Sequence, residues 1–135
     1  MTVVFNKAKP ADLVEKHAAE LAEKLARDAG GGGEATRSQM RRFYQEYLSV
    51  RQRIKSGGQG AYEQNEVAVK MLISKAAYAS GRQNVKIPPE FVNWFSENLK
   101  AIKSAEDVET FGQYFEAFMG YFYAQKPQSG GGDRR

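Results

Sequence analysis

The stretch FGQYFEAFMGYFYAQK, Phe111–Lys126, decides the fold. Phe111, Phe115, Phe118 and Phe122 recur at steps of four, three and four, the spacing of one helical face and not of a strand. A helix with phenylalanines along one side must bury them against other helices. Tyr114, Tyr121 and Tyr123 surround that stripe, more aromatic surface than one narrow seam holds, and are expected to reach an interface. Ser104, with Asp107 three residues on, starts this helix, because the acid of a capping box reaches back to an unpaired backbone amide.

The same period runs backwards through the chain. Pro88 and Pro89 open a helix in which Phe91, Phe95, Leu99 and Ile102 share a face. Trp94 sits at the edge of that face, between core and partner contact. From about Tyr62 to Ser80, Val67, Met71, Ser74 and Tyr78 lie on one line with Ile73 and Ala77 beside it, and Gly81 is placed to end the helix in the left-handed region. The segment SQMRRFYQEYLSVRQRIK, Ser38–Lys55, carries Met40, Phe43, Tyr44, Tyr47, Leu48, Arg51 and Ile54 on a broad face, with Thr36 and Gln39 spaced as a capping box. SGGQG, Ser56–Gly60, breaks it. A first helix from about Asp12 to Asp28 has Leu13, Val14, Ala18, Leu21, Ala22 and Leu25 as its stripe, and Asp12 with Glu15 as its box. Val3-Val4-Phe5 is the one strand-like run, too isolated for a sheet.

These readings predict an all-α protein, a compact bundle of about five helices. Four consecutive glycines, Gly30–Gly33, make a flexible tether after the first helix. Residues 1–35 are therefore expected to form a loosely docked extension that the fold can spare. Residues 36–126 form the helical-bundle domain, and residues 127–135 a disordered tail.

Composition narrows the function. A chain of 135 residues is one domain, long enough to hide roughly two-thirds of its unfolded surface. There is no cysteine, hence no disulfide, thiolate metal site or cysteine nucleophile. The N-terminus MTVVFNKAKPADLVEK lacks a signal-peptide run, and no segment approaches the ~18 consecutive apolar residues of a membrane span. A soluble, cytoplasmic protein with no membrane partner is expected. The single histidine, His17, lies between Leu13 and Leu21 and reads as a packed residue; alone it builds neither a zinc site nor a triad. Glu97, Glu106, Asp107, Glu109 and Glu116 are better explained by charged faces and helix starts than by acid–base pairing. The glycine runs follow no strand and lack a GK[ST] continuation, so they are not phosphate loops. No enzyme activity, catalytic residue, metal site or cofactor is expected.

Charge points to a partner. Thr36–Lys86 holds ten cations against three acids, a net of +7, whereas Ile87–Lys126 holds three cations against six acids, a net of −3. Arg41, Arg42, Arg51, Arg53 and Lys55 crowd one helix beside a single acid, Glu46. On the next helix Lys75 and Arg82 lie seven apart, two turns, beside Tyr78. Such a split is the footprint of a face that meets a polyanion; opposite faces of two copies joined head to tail would use it equally.

Three strings, SQMRRFY in the second helix, KAAYASGR from Lys75 to Arg82, and FGQYFEAFMGYFYAQK, resemble in their order and spacing the small subunit of type III-A CRISPR effector complexes, the Csm small-subunit family. The resemblance covers about Thr36–Lys126. It implies a non-catalytic helical bundle that stacks in several copies of itself, touches other effector subunits and lines the groove where guide RNA and target RNA pair, in antiviral defence. Target cutting would belong to the backbone subunit; DNA cutting and cyclic oligoadenylate synthesis would belong to the large subunit. Carried over by motif position, Arg41, Arg42, Lys75 and Arg82 are the implied RNA-binding residues. Arg51, Arg53 and Lys55 lie outside the motifs and are nominated by charge alone. Sequence recognition in such a complex rests on base pairing, so the protein needs only shape and backbone contacts, for which the planar fork of arginine is suited. The acidic fourth and fifth helices are then expected to face neighbouring subunits. The alternative reading is a cytoplasmic helical adaptor whose basic face binds an acidic protein. A free-standing DNA-binding protein is a third, without clear helix-turn-helix spacing.

Overall fold

The computed structural model describes residues 3–28, 34–81 and 87–124. They form five helices and, among these described residues, no strand. Helix α1 spans residues 10–28, with a π-type stretch at Leu13–His17. It is followed by α2 at Glu34–Gly57, α3 at Ala61–Ser80, α4 at Pro89–Ala101 and α5 at Ala105–Ala124. Helix α5 packs against α1 and α2, and α3 packs against α2 and α4. The glycine tether and the C-terminal tail lie outside the described residues.

The phenylalanine stripe builds the core as its spacing requires. Phe111, Phe115, Phe118 and Phe122 are all 0% exposed, as are Phe91, Phe95 and Leu99 of α4. Trp94 belongs to the core, only 1% exposed, with its ring 5.2–5.4 Å from those of Phe111, Tyr114, Phe115 and Phe118. Tyr114 is buried beside it and not at an interface, and burial pushes its phenol up. From α2, Phe43 tilts onto Phe95, and Tyr47 meets Phe111 edge-on at 5.3 Å. Buried tyrosines need a partner for the hydroxyl. Tyr47 Oη donates to the carbonyl of Val108 at 2.6 Å, and Tyr62 Oη to that of Ile102 at 3.2 Å.

Helix α3 differs from its expected orientation. Its buried side is Ala61, Tyr62, Val69, Leu72, Ala76 and Ala79, whereas Val67, Met71 and Tyr78 are 74%, 50% and 71% exposed. The helix buries alanines together with Tyr62, Val69 and Leu72 and leaves Val67, Met71 and Tyr78 exposed. Lys70 crosses to the end of α4, where its Nζ donates to the carbonyls of Leu99 at 2.7 Å and Ile102 at 2.8 Å. These are the acceptors a terminating helix leaves unpaired; burial there pulls the Lys70 ammonium pKa down.

The first helix is seated, not loosely docked. Leu13, Ala18, Ala22 and Leu25 are 0–1% exposed and belong to the common core. Ahead of it, Val3-Val4-Phe5 forms no strand; Phe5 is buried with its ring 6.0 Å from Phe111. Helix starts also differ in detail. Pro10 opens α1, so Asp12 lies inside the helix and not at its cap. Thr36 likewise lies within α2, and Gly81 has φ −87°, outside the left-handed region. The Ser104–Asp107 start does form: Asp107 N donates to Ser104 Oγ at 3.1 Å, and Lys103 N to Asp107 Oδ2 at 2.9 Å.

Candidate nucleic-acid interface

The cations of α2 divide between its two flanks. Toward α5, Arg37 and Arg41 both lie 5.2 Å from the centre of the Tyr123 ring, and Tyr123 Oη donates to the Arg37 carbonyl at 2.8 Å. Tyr123 thus fixes the end of α5 to the start of α2 and holds Arg41, which is itself exposed, in a set position. Arg37 was legible only as one cation among ten; its perch on Tyr123 joins residues 86 apart in sequence.

Further along the same flank, Arg51 grips Glu109 with two parallel bonds, Nε to Oε1 at 3.1 Å and Nη2 to Oε2 at 2.6 Å. Glu116 stands 3.8 Å from Nη1, and the arginine side chain is 15% exposed. The fork raises the pKa of Arg51 and lowers that of Glu109, hydrogen bonding being the leading cause for both. Gly112 makes the crossing possible, since a Cβ there would sit 2.9 Å from Arg51 Cδ and Nε. Arg51 is therefore committed to holding α2 on α5. Lys55, one turn on and exposed, adds its charge near the same Glu109.

The other flank faces α3. Here Arg42 and Lys75 line one groove of about 420 Å³, together with Gln39, Glu46, Ser74 and Tyr78. Lys75 Nζ reaches Glu46 Oε1 at 3.0 Å across the helix pair. Arg53 is exposed and stands about three turns from Arg42, so it continues that flank. Arg82 lies outside the described residues. Of the seven predicted residues, the groove brings Arg42 and Lys75 together; Arg41 stands on the opposite flank, and Arg51 is occupied with Glu109. Glu46 was visible in the sequence only as a lone acid, because its partner lies on another helix.

The acidic half is largely engaged within the fold. Glu109 and Glu116 face Arg51, Glu90 pairs with Lys24 at 3.1 Å, Glu97 stands 3.9 Å from Lys100, and Asp107 caps α5. Among the described residues no cluster of histidine and acidic side chains suits a metal ion. None of their helices is long and apolar enough to cross a membrane.

Fold and groove together define a small all-helical bundle with a basic surface edged by an exposed aromatic ring. A family model described as Csm2 Type III-A matches residues 8–128. The chain belongs to that family, the small subunit of type III-A CRISPR effector complexes. The match takes in α1, which the three sequence strings left out. No curated protein matches the chain, and no solved structure does.

Proposed function

We propose that this subunit binds guide and target RNA without sequence preference through the α2–α3 flank and has no catalytic role of its own. The observation that carries the reading is the meeting of two separate motif strings at one groove. SQMRRFY supplies Arg42, and KAAYASGR supplies Lys75 and Tyr78. Arg53 continues the groove flank; Arg41, held over Tyr123, and Lys55 add positive charge on the other flank of α2, and Arg82 is proposed as a contact on its motif position alone. Arg51 serves the bundle. Several copies stack with one another and with the other subunits, so that successive grooves follow the phosphates along the paired RNA.

Purification with and without nuclease treatment tests the reading against the adaptor alternative. The untreated full chain should carry nucleic acid that high salt or nuclease removes, because phosphate contacts dominate such binding. A preparation free of nucleic acid in both arms, with an acidic protein retained instead, overturns it.

A further inference from the structure

Resting on that RNA reading, we infer that α2 lies along the minor groove of the guide–target duplex, where a crest of neutral side chains, Gln45, Ser49 and Gln52, reads the 2′-hydroxyls that mark RNA. At about 100° per residue, Ser38, Gln45, Ser49, Gln52 and Ser56 fall within an arc of roughly 60° around the helix. All five are exposed and none is charged. The arc stands opposite the buried face of the same helix, Phe43, Tyr47 and Ile54, so it is the part of α2 farthest from the core. The cations lie to either side of it, Arg42 and Arg53 toward α3, Arg41 and Lys55 toward α5. Gln45, Ser49 and Gln52 also line one surface depression of about 530 Å³ together with Lys55.

A helix that met a single phosphate strand would need cations on one side only. Positive charge on both flanks, with neutral donors and acceptors between them, matches a duplex groove, where two phosphate strands border a floor of sugar edges. In A-form RNA the major groove is too deep and narrow for side chains to read, whereas the wide, shallow minor groove displays the 2′-hydroxyls. With its side chains a helix is about 10–12 Å across, so its two flanks reach opposite strands while the crest rests on the sugars. Each 2′-hydroxyl both donates and accepts, as do the glutamine amide and the serine hydroxyl. Such contacts read ribose and not sequence, so the subunit distinguishes an RNA target from a DNA strand of the same sequence. Glu46 does not oppose this placement, because it lies off the crest, on the α3 flank, with Lys75 at 3.0 Å.

The test titrates the full chain at low salt into a short fluorescein-labelled RNA duplex and into the same duplex with fluorine in place of every 2′-hydroxyl, which keeps the A-form but removes the hydroxyl. Wild type should bind the ribose duplex more tightly, by roughly two- to twelvefold for each hydrogen bond lost. Gln45→Ala, Ser49→Ala and Gln52→Ala combined should bind the two duplexes alike, with the salt slope unchanged because no charge is removed. Arg42→Ala with Lys75→Ala should weaken binding to both and flatten the slope while keeping the preference for ribose. The three crest positions are exposed, so the triple variant should melt like wild type, which circular dichroism checks. If wild type binds the two duplexes equally, or the triple variant keeps the preference, the crest does not read ribose and the RNA reading stands. If wild type binds neither duplex, both readings fall.

Discussion

Leu25→Ala measures whether α1 belongs to the bundle or hangs from it. Leu25 is 0% exposed among the buried residues of the common core. Truncation removes about three carbon groups, each worth roughly 0.8 kcal/mol on full burial. The cavity left behind raises the total to about 2.7–5 kcal/mol. For a chain between the small and medium size classes, 1 kcal/mol moves the Tm by roughly 3–5 °C, so the melt should drop by about 8–25 °C. Thermal unfolding followed at 222 nm and by tryptophan fluorescence should shift together, because Trp94 reports the core that α1 helps to cover. Leu21→Ala, at a half-buried position, should cost less. If Leu25→Ala leaves the tryptophan transition at its wild-type temperature, α1 is an appendage and residues 1–35 can be removed. Otherwise, deleting residues 1–34 should give a molten or aggregated product, because it uncovers Phe111 and its neighbours.

Two glycines of α5 should respond with opposite sign. Gly112→Ala drives a Cβ into Arg51 and should destabilise by about 1–3 kcal/mol, whereas Gly120→Ala meets nothing within 4 Å and should stabilise by about 0.5–1 kcal/mol; denaturant titration reads both. The Arg51–Glu109 fork also predicts a pH dependence. Glu109 has its pKa lowered below the ordinary value of 4.5 by the fold, so its contribution is present above that value and lost as pH falls through the folded-state value. Urea midpoints measured from neutral to acid pH should fall more steeply for wild type than for Glu109→Gln; parallel curves refute the coupling.

The sequence disclosed the helices of this bundle better than their faces. In α4 and α5 large aromatic residues mark one side, and burial follows size. In α3 both sides carry apolar residues, and size misleads. Close approach to α2 and α4 selects Ala76 and Ala79, while Val67, Met71 and Tyr78 stay outside. The same effect disguised α1, whose alanines look like a weak stripe yet let the helix sit tightly against α5. In the candidate site, Arg42 and Lys75 were legible from charge and motif. The roles of Arg51, Glu46 and Tyr123 were not, since each depends on a partner on another helix, 29 residues away for Glu46 and 58 for Arg51.

If Arg42 and Lys75 contact phosphate, RNA binding must depend on salt through those two side chains. Binding of target RNA by the assembled complex with its guide should weaken linearly in log affinity against log salt. Each lost phosphate contact reduces the slope by about 0.7 for single strands or 0.9 for duplex. Replacing Arg42 and Lys75 with alanine should flatten it by roughly 1.4–1.8 per affected subunit, with the melting temperature nearly unchanged because both side chains are exposed. Lys100→Ala with Lys103→Ala, on exposed positions of the acidic half, is the control and should leave the slope as it is. Equal slopes for the two double variants would contradict the account, leaving the α2–α3 flank a solvated surface.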